Sequence, residues 1–221
     1  MNAQLCLAIR WQNDEQFTDF YTSINPNQKI PTIVHKQDDG TEYPVMETGA
    51  IMIYLADAFP EGRQFLPGPD EHNKRHEVLQ WLIWQMANLG PMQGQSVTFT
   101  RYAAEKIPFA IDRYTTETKR LYGVLEKQLS DGREFLVHDY SIADIAIYPW
   151  VRGYRWALGF EFEPTFKQDF PNLNAWSKRL RGRPGVDRGL NVPPIEKDNS
   201  ETQARLVDTF SKLAPRQKSN L

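Results

Sequence analysis

The chain has 221 residues, 26 of them Lys or Arg and 28 Asp or Glu, with a net charge of −2. That balance gives no basic footprint for nucleic acid. One cysteine excludes an intrachain disulfide framework or a Cys-rich zinc site, and the longest apolar run, 50–56, falls far short of the ~20 residues of a membrane-spanning helix. The first residues carry no basic leader, and the sparse cysteine usage fits a reducing compartment, so the expected location is cytoplasmic.

Residues 4–9 (Gln4, Leu5, Cys6, Leu7, Ala8, Ile9) form an apolar run of strand length, and its continuous apolarity predicts a strand covered on both faces. Phe17, Phe20, Tyr21 and Ile24 fall on one face of a short helix, stopped by Asn25-Pro26-Asn27. Thr32–His35 and Tyr43–Met46 flank a connection containing Asp39-Gly40 and predict a hairpin, with Pro44 limiting the second strand to an edge or to its first residues. A helix then runs from Glu47-Thr48 to about Phe59, with Ile51, Leu55 and Ala58 or Phe59 at helical spacing. The prolines and glycines of 60–70 predict a linker.

Beyond it the chain reads as all-helical. Residues 71–89 are apolar nearly all round in their second half, which predicts a helix buried between other helices or at a subunit contact and ended by Gly90-Pro91. A long helix starts near Pro108, with Ile111, Tyr114, Thr118, Leu121 or Tyr122, Leu125 and Leu129 on its apolar face and charged residues including Glu117 and Glu126 opposite. Ser141-Ile142-Ala143-Asp144 is a capping box opening a helix that Pro149 must kink or end. Pro171, Leu173, Trp176 and Leu180 mark a further helix, closed by Arg183-Pro184-Gly185. Residues 191–221 read as a polar tail with one short helix near 202–213. The expected domains are thus 1–59, a linker 60–70, a helical domain 71–190 and the tail.

Chemistry concentrates before and after the hairpin. A proline at a strand start removes a ladder donor and takes the cis form more readily than other residues; a cis Ile30-Pro31 bond would turn the Ile30 backbone outward to pair with an extended peptide. Thr48 and Gly49 open a helix whose N–H groups suit a carboxylate, and Glu47 suits an ammonium group. Each feature also has a purely structural reading: Thr48 as an N-cap, Pro31 as turn chemistry.

The stretches Gln16-Phe17, Asn25-Pro26-Asn27-Gln28-Lys29-Ile30-Pro31 and Glu47-Thr48-Gly49-Ala50-Ile51 resemble the glutathione-binding half of glutathione transferases. Residues 79–86, Leu89-Gly90-Pro91-Met92, 107–114 and Tyr140-Ser141-Ile142-Ala143-Asp144 are similar to its Nu-class branch, which includes glutathione-dependent disulfide-bond oxidoreductases. The resemblance spans about residues 12–190. It implies an α/β thioredoxin-like N-terminal domain plus an all-α C-terminal domain, a homodimer, and glutathione as cosubstrate with a small electrophilic or disulfide substrate. It implies that Ile30, beside Pro31, pairs with the cysteinyl part of glutathione, that Glu47 and Thr48 hold its γ-glutamyl end, and that Gln16 and Lys29 lie near the ligand. Arg113 matches an arginine that reaches the partner's glutathione; its structural alternative is an i,i+4 pair with Glu117.

The strand at 4–9 aligns with the family's second strand, so the expectation is an incomplete N-terminal domain without the loop that stabilises the glutathione thiolate. No catalytic residue is assigned, and a non-catalytic interaction protein on the same scaffold is the alternative. Val97-Thr98 stands where bacterial relatives carry His-His, which alters the expected second-ligand region; 90–106, Tyr102, Tyr154 and Trp156 are candidates for its walls. With no Cys-x-x-Cys, disulfide exchange must use glutathione thiols. Cys6 reads as a core residue, His72 and His76 share a helix face without a third metal ligand, and Lys178, Arg179, Arg181 and Arg183 read as a solvated last turn.

Overall fold

The structure, a computed structural model, describes residues 13–159 and 163–192. The expected strand at 4–9, Cys6 within it, and the helix near 202–213 lie outside the described residues. Contacts group the chain into two units, Met1–Leu79 and Gln80–Leu221. The first is the small-sheet, thioredoxin-like part and the second is helical.

In the first unit a 3-10 turn, Glu15–Phe17, precedes α1 (Asp19–Ile24). Thr18 separates them: its backbone is extended, and its hydroxyl accepts from the Tyr21 N–H at 3.3 Å as the N-cap of α1. This break leaves Phe17 in a separate turn, and within α1 the neighbours Phe20 and Tyr21 take opposite sides, so the expected common apolar face does not form. Tyr21 is buried, whereas Phe17 and Phe20 are exposed. Strands β1 (Thr32–Lys36) and β2 (Glu42–Met46) pair antiparallel with Thr32 opposite Met46 and Val34 opposite Pro44. Gly40 takes φ +85° in the connecting turn, a conformation that favours glycine. Helix α2 (Thr48–Ala58) packs on the hairpin with Ile51 and Ala56 buried. The turn Pro60–Gln64 lies so close to the end of α2 that a Cβ on Gly62 would meet the Ala56 Cα at 2.5 Å. Leu66 beyond it is buried, and Arg75 of α3 (His72–Trp84) donates to both carboxylate oxygens of Asp57, at 3.0 and 2.8 Å, and to the Pro67 carbonyl at 2.8 Å.

Gly90-Pro91 does not end the helix begun at His72. The run continues through a π-helical turn (Gln85–Leu89), α4 (Gly90–Val97) and a second π turn (Thr98–Tyr102). The Gly90 N–H bonds to the Gln85 carbonyl across the widened turn, and Pro91 enters α4 in its first positions, where a proline needs no N–H partner. Within the single chain Val78 and Leu82 of α3 are buried and Ile83 is 60% exposed, so the chain's own helices cover one side of α3.

The helical core forms around α4, α5 (Pro108–Gln128), α6 (Ile142–Arg152) and α9 (Pro171–Arg181), with α7 (Tyr154–Leu158), α8 (Glu163–Asp169) and α10 (Pro184–Gly189) around them. The predicted stripe of α5 is buried at Thr118, Leu121, Tyr122 and Leu125, with Leu129 just beyond. The capping box forms as expected, and α6 runs three residues past Pro149. No helix among the described residues is long and apolar enough to cross a membrane.

Asp144 does more than close the box. Its Oδ1 accepts from the Leu136 N–H (3.0 Å) and the Trp176 indole N–H (2.9 Å), and its Oδ2 from the Ser141 N–H (3.1 Å) and hydroxyl (3.2 Å). Burial lifts its pKa above the ordinary carboxylate range, against the pull of these four donors. Asp144→Asn turns an N–H₂ group toward two of them. Urea denaturation should report a loss of about 3 kcal/mol.

Candidate functional site

The hairpin register sets the site. Because Thr32 faces Met46, the residues entering β1 (Ile30, Pro31) and those leaving β2 (Glu47, Thr48) lie at the same end of the sheet. The Ile30–Pro31 bond is cis. Among the described residues no hydrogen bond uses the Ile30 N–H or C=O, and the residue is 53% exposed.

What holds this segment is a buried cluster that sequence reading missed. The Tyr21 hydroxyl donates to the Lys29 carbonyl at 2.8 Å and lies 2.9 Å from the Thr32 hydroxyl. The Asn25 side-chain amide donates to the same carbonyl at 2.7 Å and to the Thr32 hydroxyl at 2.8 Å. The amide is oriented by its oxygen, which accepts from the Asn27 N–H at 2.9 Å. Tyr21, Asn25 and Thr32 are all buried. Their only sequence signal is the position of polar or hydroxyl-bearing residues around the turn.

On the opposite strand Glu47 has φ +71° and ψ +123°, outside the regions open to L-residues at low energy. Such backbone costs about 1–3 kcal/mol and clusters at ligand sites. Glu47 is the N-cap of α2, and its side chain makes no capping hydrogen bond. The first N–H groups of α2 therefore point outward as anion donors, beside the Thr48 hydroxyl. Lys29 and Glu47 expose their side chains there.

Gln16 lies in the turn before α1, with its side-chain oxygen buried and without a hydrogen-bond partner, a state relieved by an incoming N–H. Arg113 stands on α5, in the second unit. It does not make the i,i+4 pair that is its structural alternative, because Glu117 is taken by Arg120 through two 2.8 Å hydrogen bonds. The Glu117 carboxyl is held below its usual pKa chiefly by that Arg120 bond, with a small contribution from the Arg113 charge.

The other candidates resolve differently. The stretch 90–106 is mostly helix, not a connection. Trp156 lies under the Arg101 guanidinium at 5.0 Å and beside Tyr102, while Tyr154 stacks on Phe166. The His72 and His76 rings lie 4.1 Å apart, tilted by 31°, and no group of three metal-ligating side chains forms among the described residues. The basic cluster is not simply solvated: Arg179 donates to the Glu134 carbonyl, Arg181 pairs with Asp187, and Arg183 lies 3.8 Å over the Tyr140 ring.

Two family models match the chain: "Glutathione S-transferase, N-terminal domain" over residues 9–57 and "Glutathione S-transferase, C-terminal domain" over residues 98–184. The disulfide-bond oxidoreductase YfcG of Escherichia coli is 39% identical over 190 residues, covering 85% of this chain and 83% of the relative. A Pseudomonas putida glutathione transferase crystallised with one glutathione disulfide per subunit superposes with TM-score 0.74 at 35% identity, over 84% of this chain and 79% of its own. A Burkholderia graminis glutathione transferase with two glutathione molecules per subunit gives TM-score 0.72 at 41% identity, over 84% and 76%.

The strain at Glu47 is open to direct measurement. Glu47→Gly and Glu47→Ala both remove the carboxylate, but only glycine adopts this backbone freely. The glycine variant should be more stable than the alanine variant by about 1 kcal/mol in thermal or urea unfolding.

Proposed function

The chain belongs to the glutathione S-transferase family, and we propose that it binds glutathione as an extended peptide at the end of the hairpin and uses the bound thiolate on a disulfide. The observation that carries this reading is the juxtaposition of an Ile30 backbone unpaired among the described residues with a start of α2 that the Glu47 side chain does not cap. The Ile30 N–H and C=O suit the cysteinyl backbone. The N–H groups of α2 and the Thr48 hydroxyl suit the γ-glutamyl carboxylate, and Glu47 suits its ammonium group. Pro31 fixes the entry to β1, the Gln16 oxygen offers an acceptor, and the exposed Lys29 ammonium can meet a second carboxylate. Residues 1–59 would form the glutathione-binding domain and 71–190 the helical domain, joined through 60–70.

Disulfide reduction is favoured over conjugation by the oxidoreductase among the relatives and by the glutathione disulfide and paired glutathiones in the similar structures. In that reaction one glutathione thiolate attacks a substrate sulfur, forming a mixed disulfide and releasing one thiolate. A second glutathione attacks the mixed disulfide, giving glutathione disulfide and the second thiol. The chain's one cysteine provides no dithiol of its own, so both electrons come from glutathione. In a homodimer Arg113 would add a cationic contact to the partner's glutathione.

Titration calorimetry and a glutathione-dependent assay with 2-hydroxyethyl disulfide test this reading. Glutathione should bind and support reduction, and Thr48→Val should weaken binding about tenfold. No heat on titration overturns the reading. Binding without turnover of the disulfide or of an electrophile favours the non-catalytic scaffold.

A further inference from the structure

We propose that Tyr21, Asn25 and Thr32 are positioning residues that aim the Ile30 N–H at the ligand by fixing the carbonyl on the other side of the same peptide unit. The proposal rests on the glutathione reading above and assigns to it three residues that do not themselves touch the ligand.

The Lys29 carbonyl and the Ile30 N–H belong to one planar trans peptide, so they point in opposite directions. The carbonyl accepts two bonds from buried donors, the Tyr21 hydroxyl and the Asn25 amide. With the carbonyl turned into the protein, the N–H faces away from the cluster, where Ile30 is exposed. The donors are themselves held. Tyr21 spends its one proton on the carbonyl, so it accepts from Thr32. Asn25 uses both amide protons, one on the carbonyl and one on the Thr32 oxygen. Thr32 thus donates once and accepts once, and no proton of the cluster is left over. A single orientation of the peptide satisfies the set, because flipping it would remove an acceptor from two buried donors at once.

The cluster also links three elements: Tyr21 is on α1, Asn25 caps the end of that helix, and Thr32 opens β1. Its members reach Ile30 from both sides along the chain, through Lys29 before it and Thr32 after it. This pre-organises the donor before the ligand arrives, which lowers the ordering cost of binding.

The test uses the full chain with Tyr21→Phe, Thr32→Val and Thr32→Ser, and Val151→Ala in the helical core as a control for general loss of stability. Two readouts are taken: glutathione affinity by calorimetry, and the Ile30 amide resonance in the ligand-free protein. Tyr21→Phe and Thr32→Val should each weaken glutathione about tenfold and move the Ile30 resonance, Thr32→Ser should restore most of the affinity, and Val151→Ala should lower the unfolding temperature without moving either readout. Folded Tyr21→Phe and Thr32→Val that bind within twofold of the parent overturn the positioning role and leave the glutathione reading standing. Failure of the parent chain to bind glutathione overturns both.

Discussion

The carbonyl of Lys29, held by two buried donors, is the constraint on which the candidate site depends. A turn carrying Asn25-Pro26-Asn27 and a proline at the strand entry has few ladder bonds of its own. Without the inward pull on that carbonyl, the segment would be free to rotate about the Lys29–Ile30 unit. With it, helix α1, the turn and strand β1 become one hydrogen-bonded body, and the open backbone of Ile30 is its exposed edge. The strained Glu47 is the counterpart on the other strand: local backbone energy is accepted there in return for a helix start that the Glu47 side chain does not cap.

The helical unit is organised by the same economy of buried polar groups. Asp144 gathers four donors from the loop before α6, from its cap and from α9. Glu126, on α5, caps α9 from a distance by accepting from the Asn172 and Leu173 N–H groups at 3.1 and 2.8 Å. Gln93 accepts from the Tyr122 hydroxyl and donates to the Trp150 carbonyl, tying α4 to α5 and α6. Apolar burial supplies most of the driving force, but these carboxylates and amides specify which helix ends meet.

Features written in local sequence were legible. The hairpin with Asp39-Gly40, helix α2, the stripe of α5, the capping box and α9 all follow from spacing within one or two turns of chain. Signals that depend on competition or on distant partners were not. Tyr21 reads as one more apolar face residue, Asn25 as a helix stop and Thr32 as a strand residue; only the fold brings their hydrogen bonds together. Glu117 had two arginines within reach, at i−4 and i+3, and spacing alone does not decide for Arg120. Glu126 belonged by pattern to a solvated face, and its partner lies 46 residues away. Of the site itself, the positions of Ile30, Pro31, Glu47 and Thr48 at one end of the hairpin follow from the register, while the backbone strain at Glu47 has no sequence signature.

The two wide turns in the run from His72 to Tyr102 work as phase shifters. Each inserts a residue's worth of rotation, about 100°, relative to a regular α-helix. Downstream of the first, Gln93 and Ser96 point into the helical core, where Ser96 reaches the Ala157 carbonyl at 2.9 Å. Trimming one residue from 85–89 would leave a smoother rod with its inner and outer faces exchanged by more than a quarter turn. The irregularity is therefore the reading frame of the helix, and its length constrains the packing downstream more than any one of its side chains does.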